Sequence, residues 1–219
     1  MTRIQRLSLY VPSPGLLAEW YQALGFGVRK RGMVYHIAIG YSDLRLIQGE
    51  QEAWFHVAFH VRAPEFDGYL AMLQETIDLL PANPDGSFKR EFPSWEAHSV
   101  YAHDPCGNIV EWIARPGHAW TDLPIPTPAV TGIAEVGIPV PDVGAYQHRA
   151  GLFLPEWKPG GEEFAIMGGT EGLILLVKEG RGWIPTGRPA EFFPCSGVLN
   201  HDGKRVNFHS VEGKITWSR

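Results

Sequence analysis

Trp54-Phe55-His56-Val57-Ala58-Phe59-His60-Val61 carries large apolar residues at alternate positions, the period of a strand with two unlike faces. The same pattern recurs upstream at Ile4-Gln5-Arg6-Leu7-Ser8-Leu9-Tyr10-Val11 and downstream at Ile133-Ala134-Glu135-Val136-Gly137-Ile138-Pro139-Val140. Each strand runs out at a proline or Ala-Pro and leads into a helix-like stripe. Leu16, Leu17, Trp20, Tyr21 and Leu24 form the first stripe, Phe66, Tyr69, Leu70, Leu73 and Ile77 the second, and Val143 with Tyr146 a shorter third. Gly25 and Gly151 stand where the first and third helices should end, since a helix C-terminus favours a left-handed residue. Three copies of one unit are therefore written into the chain.

Short strands are expected after each helix. They fall at Phe26 to Lys30, Met33 to Ile39 and Leu44 to Gln48 in unit one. In unit two they fall at a less regular Phe88 to Trp95, His98 to His103 and Asn108 to Ala114, and in unit three at Phe164 to Met167 and Leu173 to Lys178. The unit reads β-α-β-β-β, so the fold class is α+β, with repeated modules forming curved, mostly antiparallel sheets around a cleft. Residues 1–115 hold modules one and two, the proline-rich tract 116–130 reads as a linker, and residues 131–219 hold module three plus degenerate C-terminal strands. Those last strands are expected at Gly197 to Leu199, Arg205 to Val211 and Lys214 to Ser218, joined by Asp202-Gly203 and Glu212-Gly213 turns.

Composition narrows the function classes. With 44% hydrophobic residues, 8 Trp, 7 Tyr and 11 Phe, the chain can fill a core, and 25 glycines with 18 prolines favour short strands over long helices. A net charge of −5 offers no global positive field for a phosphate backbone, so nucleic acid is not an expected partner. No apolar stretch approaches a membrane span and Met1 to Arg6 has no signal-peptide character, which reads as a cytoplasmic protein without a membrane partner. Two cysteines, Cys106 and Cys195, are too few for a disulfide scaffold and read as free thiols. No GxGxxG, GxSxG or HExxH motif occurs, and Gly180 to Gly187 lacks the ending of a phosphate loop.

Alternation places Leu7, Leu9 and Val11 on the helix side of the first strand, leaving Arg6, Ser8 and Tyr10 on the opposite face. The equivalent outward set is His56, Ala58 and His60 in unit two, and Glu135, Gly137 and Pro139 in unit three. In Asn108 to Ile113 the same logic sends Val110 and Trp112 to the helix, and Ile109, Glu111 and Ile113 to the concave face. His56 and Glu111 thus share a surface.

The stretch Tyr101-Ala102-His103-Asp104-Pro105-Cys106-Gly107-Asn108-Ile109-Val110-Glu111 resembles the Asp-Pro-x-Gly-Asn-x-x-Glu hairpin of the vicinal oxygen chelate superfamily, which contains glyoxalase I, extradiol dioxygenases and bleomycin-resistance proteins. Phe55 to Phe59 is similar to its first-strand histidine motif, and Trp20 to Phe26 to its helix-ending segment. The resemblance covers units one and two closely, unit three loosely and the last ~35 residues hardly at all. It implies paired modules around a cleft in which a divalent metal (Fe, Mn, Zn, Ni or Co) is held by first- and fourth-strand side chains. Carried over, it implies His56 and Glu111 as metal ligands. Module one departs from the pattern: Arg6 stands at the first-strand position, and Arg45, Ile47 or Gln48 at the fourth.

Two ligands are short of the three that a catalytic site needs. His60 cannot complete the set, because four strand residues separate it from His56 by roughly 13 Å. His36 and His103 are left as candidates. The expected function is therefore a small-molecule enzyme, a metal-dependent lyase or ring-cleaving dioxygenase, with its site between modules one and two. Arg6, Tyr10 and His60 would line the substrate. The alternative is a metal-free protein of the bleomycin-resistance type that sequesters a small molecule, and Arg6 favours it. Whether modules close the cleft within one chain or in a homodimer is left open.

Overall fold

Three chain segments enter as a strand, turn through a helix and return as a three-strand meander, because period-two apolar runs alternate with single amphipathic stripes. A computed structural model describes residues 1–49, 52–116 and 129–219 of the chain. Module one comprises β1 (Thr2–Val11), α1 (Pro14–Ala23), β2 (Gly27–Arg31), β3 (Val34–Ile39) and β4 (Ser42–Gln48). Module two comprises β5 (His56–Val61), α2 (Phe66–Thr76), β6 (Arg90–Phe92), β7 (Ala97–His103) and β8 (Ile109–Ala114). Module three comprises β9 (Val130–Val140), α3 (Val143–Ala150), β10 (Glu156–Gly161), β11 (Phe164–Gly169) and β12 (Gly172–Lys178). A meander of β13 (Cys195–His201), β14 (Lys204–Val211) and β15 (Lys214–Ser218) follows without a helix. Most of the expected linker 116–130 lies outside the described residues.

Within each module the first strand pairs in parallel with the fourth: β1 with β4, β5 with β8, β9 with β12. Between modules the pairing is antiparallel, and it corrects one expectation. Modules one and two do not close on each other. β5 pairs with β9, so module two is joined to module three. β1 instead takes β13 along most of its length, from Thr2 opposite His201 to Leu9 opposite Cys195. Every backbone group on an inner strand needs a partner, and β13 meets that need for β1. The C-terminal meander therefore stands in for a fourth module.

A single bridge, Ile4 to Ile133, links the two halves into one mixed sheet. Ser42 reinforces it: its hydroxyl donates to the Ile4 carbonyl (2.6 Å) and accepts from the Ile133 N–H (2.9 Å). Gly40, at φ +54°, brings the β3–β4 turn onto Thr131, where a Cβ would lie 2.0 Å from the Thr131 carbonyl oxygen. The core lies between the helices and the convex sheet face. Leu7, Leu9, Leu17, Tyr21, Phe59, Phe66, Leu73, Val110 and Trp112 are all buried there, as alternation requires. Each such fully buried side chain contributes roughly 1.5–3 kcal/mol. Leu16, read as part of the first stripe, is half exposed instead.

Candidate functional site

The Asp-Pro-Cys-Gly-Asn turn positions the site. Asp104 Oδ1 accepts from the N–H groups of Cys106 (2.9 Å) and Asn108 (3.0 Å), and Asp104 Oδ2 accepts from the Asn108 amide (2.6 Å). Asn108 in turn accepts from the Phe55 N–H (2.8 Å), and the Ile109 N–H donates to the Phe55 carbonyl (2.8 Å). This clasp sets β8 beside β5 in the register that puts His56 opposite Ile109 and Ala58 opposite Glu111. Burial raises the Asp104 carboxyl to about 6 even though these donors pull it down.

A methyl side chain keeps the centre of the site open. Ala58 lies between Glu111 on β8 and Glu135 on β9, leaving the space above it free for longer neighbours. His56 Nε2 donates to Glu111 Oε2 (2.9 Å), while Ser99 Oγ (2.5 Å) and the Tyr101 hydroxyl (3.1 Å) donate to Oε1. A carboxylate can only accept, so Nε2 carries the proton between them, and in the neutral ring Nδ1 keeps its lone pair. Nδ1 is buried and has no hydrogen-bond partner. Burial pushes the Glu111 carboxyl up, but the His56 and Ser99 hydrogen bonds and the positive charges of Arg115 and of His56 when protonated outweigh it and hold it below the usual range. Burial, together with the charge on Glu111, keeps Tyr101 a neutral phenol.

Glu135 belongs to the same site. It is buried and paired with the equally buried Arg115 guanidinium. Its carboxyl is nonetheless pushed up, first by burial and then by the nearby Glu111 charge. The two carboxyls are thus driven apart, Glu111 toward the anion and Glu135 toward the acid, a division of roles that suits proton transfer. A cavity of about 300 Å³ opens above them, walled by Phe92, Trp95, Phe164 and Trp183 and reached by Arg181. Trp183 comes from the loop after β12 and stacks on His56 at 5.2 Å between ring centres and 13° between planes. Gly137 makes room for it: a Cβ there would lie 2.3 Å from the indole.

His56 and Glu111 converge as expected, but the other expected lining residues lie elsewhere. Arg6 and Tyr10 are on β1, flanked by β4 and β13, and cannot line this cavity. Arg6 faces Asp43 rather than Glu111. His60 is buried four residues further along β5 than His56, opposite Ile113, and is not part of the cavity wall. Of the candidate third ligands, His36 bonds Asp43 in module one (3.0 Å), and His103 is exposed at the end of β7. Ser99, Tyr101, Arg115 and Trp183 had no spacing signal. Glu135 had one, its place in the repeat, which reads correctly once module three is paired with module two. Arg115 also lines a neighbouring cavity of about 480 Å³ with Trp157 and Lys158, away from His56 and Glu111.

The donor set does not fit a divalent ion as it stands. Both Glu111 oxygens are occupied, Glu135 is held by Arg115, and Leu175 fills the β12 position that matches Glu111 in the repeat. Among the described residues no three His, Cys, Asp or Glu side chains gather as a metal cage would require. The buried guanidinium already supplies a positive charge beside Glu135.

No family model and no curated protein matches the chain by sequence. Solved structures do match. A Bacillus subtilis protein named a "putative dioxygenase" aligns over 98% of this chain and 84% of its own, at 14% identity and a TM-score of 0.58. Lactoylglutathione lyase from Agrobacterium tumefaciens aligns over 53% of this chain and 96% of its own, at 18% identity and a TM-score of 0.43. The fosfomycin resistance protein FosX from Listeria monocytogenes aligns over 51% and 91%, at 16% and 0.41. The likeness to the first of these spans nearly the whole chain and is a likeness of fold, in keeping with the fold that the hairpin's resemblance to the vicinal oxygen chelate superfamily implies.

Proposed function

We propose that the cleft between modules two and three binds a compact, planar organic molecule and exchanges a proton with it through His56. One observation carries this reading: a hydrogen-bonded imidazole–carboxylate pair, buried, on the floor of an aromatic-walled cavity of about 300 Å³. The unpaired Nδ1 is an acceptor that water does not reach, so a ligand hydroxyl donating to it would satisfy a group now left costly. Glu111 holds the ring and stabilises the imidazolium formed when Nδ1 takes a proton, while Ser99 and Tyr101 hold Glu111. Trp183 and Trp95 favour a flat ring through stacking.

Phenol is a suitable probe, read through tryptophan fluorescence with cyclohexanol as the non-planar control. Saturable phenol binding that weakens at least tenfold in His56→Ala and in Trp183→Ala, with cyclohexanol binding poorly, is the expected result. Equal binding of both alcohols, or unchanged binding in both variants, would overturn it.

A second reading follows from the placing of His56, Glu111 and Glu135 around one cavity: a divalent ion in a lyase or dioxygenase of the glyoxalase type. It requires Arg115 to release Glu135. Elemental analysis after growth in several divalent metals decides it, since a stoichiometric metal lost in both His56→Ala and Glu135→Ala would replace the first reading.

A further inference from the structure

The repeat allows module one to be compared with module two position by position. In module two, His56 pairs with Ile109 and Ala58 with Glu111; in module one, Arg6 pairs with Asp43 and Ser8 with Arg45. Arg6 therefore stands where His56 does, and Arg45 where Glu111 does. Both positions that bear the imidazole and carboxylate of one cleft bear guanidinium in the other.

These arginines are gathered around one carboxylate. Asp43 accepts from Arg45 Nε (2.7 Å) and His36 Nδ1 (3.0 Å), and Arg6 Nε approaches it at 3.6 Å. Asp43 thus anchors Arg45 by its Nε, while the buried Arg6 Nε has no hydrogen-bond partner. No described residue hydrogen-bonds the terminal nitrogens of either fork. The side chains are about a third exposed, on the concave face of the sheet β2-β3-β4-β1-β13-β14-β15. Arg29 is in the same row as His36 and Arg45, and Ser196 and His209 extend that row beyond Ser8. Arg29 lies two strand spacings from Arg45, about 10 Å. Two guanidinium groups therefore meet one carboxylate, with a third, Arg29, exposed in the same row, on a chain whose net charge is −5.

We infer that this concave face, closed by β13 and β14, is a second binding site, for the dianionic phosphoryl group of a small phosphorylated ligand. Guanidinium forks suit phosphate oxygens by geometry as well as charge, and the surplus over Asp43 matches a dianion. The seven-stranded sheet is separate from the cavity above His56, so the inference does not rest on the reading proposed for that cavity.

Inorganic phosphate and pyrophosphate are the probes, titrated calorimetrically into the full chain at about 0.15 M salt, where loose surface attraction is screened. Saturable binding is expected. It should fall at least tenfold in Arg6→Gln and Arg45→Gln, fall less in Arg45→Lys, which keeps the charge but not the fork, and rise several-fold in Asp43→Asn, which removes the competing carboxylate. Phenol binding should be the same in all four variants. Absence of saturation, phosphate binding that survives Arg6→Gln with Arg45→Gln, an unchanged affinity in Asp43→Asn, or acetate binding as tightly as phosphate would overturn the assignment. The rise expected in Asp43→Asn keeps the test decisive even where an arginine variant fails to fold, because a network with only a structural role predicts no gain.

Discussion

Asp104 is buried in the hairpin clasp with its carboxyl raised to about 6, and that shift is a statement about stability. Between the ordinary carboxylate pKa of ~4 and that value, the folded chain keeps a proton that the unfolded chain has released. Its contribution to stability therefore declines as pH rises through that window, by on the order of 3 kcal/mol once pH exceeds ~6. Asp104→Asn removes the titration. Urea unfolding at pH values from ~4 to ~7 should show the wild-type stability falling relative to the variant, with the other carboxyls cancelling in the difference. A flat difference across that range would mean that the clasp holds the ionised form without penalty. Glu135 is shifted the same way and Glu111 the other way, since four donors or charges outweigh burial for Glu111 while Arg115 does not for Glu135. Residue type alone could not say in which direction each carboxyl would shift.

At the scale of elements, period two was enough to find nearly every strand and its inward face, and the face assignments of Glu111, Trp112 and His56 came directly from it. β10 escaped, because Glu156–Gly161 carries a proline and two glycines, lies largely exposed and pairs with β11 through two irregularities in register. The loop bearing Trp183 escaped for a different reason: its position depends on a tertiary contact with Gly137, which no local pattern encodes. That contact makes its own prediction. The Cβ of Gly137→Ala would sit inside the indole, so the ring must move and the stack on His56 must break. Overpacking of this kind costs about 1–3 kcal/mol. The sharper outcome is in binding, where Gly137→Ala should weaken phenol about as much as Trp183→Ala does in the same fluorescence titration. Unchanged affinity would show that Trp183 is not a wall of the working pocket.

At the scale of the whole molecule, the sequence reveals three repeats but not which repeat faces which. Any first strand can pair with any other by period and polarity, so adjacency along the chain suggested modules one and two. The deciding interactions are the β5–β9 pairing and the capture of β1 by β13, both between distant segments. The C-terminal meander is consequently a structural part of module one rather than an appendage. Leu199, Val206, Phe208 and Ile215 belong to the same core as Ile4 and Leu7, and β13 covers what would otherwise be a long apolar sheet edge. A chain ended before Cys195 should lose solubility and its cooperative thermal transition, because β1 would offer unpaired backbone and the core would open along one side. Light scattering and a thermal scan of the truncated chain beside the full one provide the check. A soluble truncated chain with an unchanged midpoint would show that β1 needs no partner beyond β4, and with it would fall the claim that β13 and β14 wall the phosphoryl site.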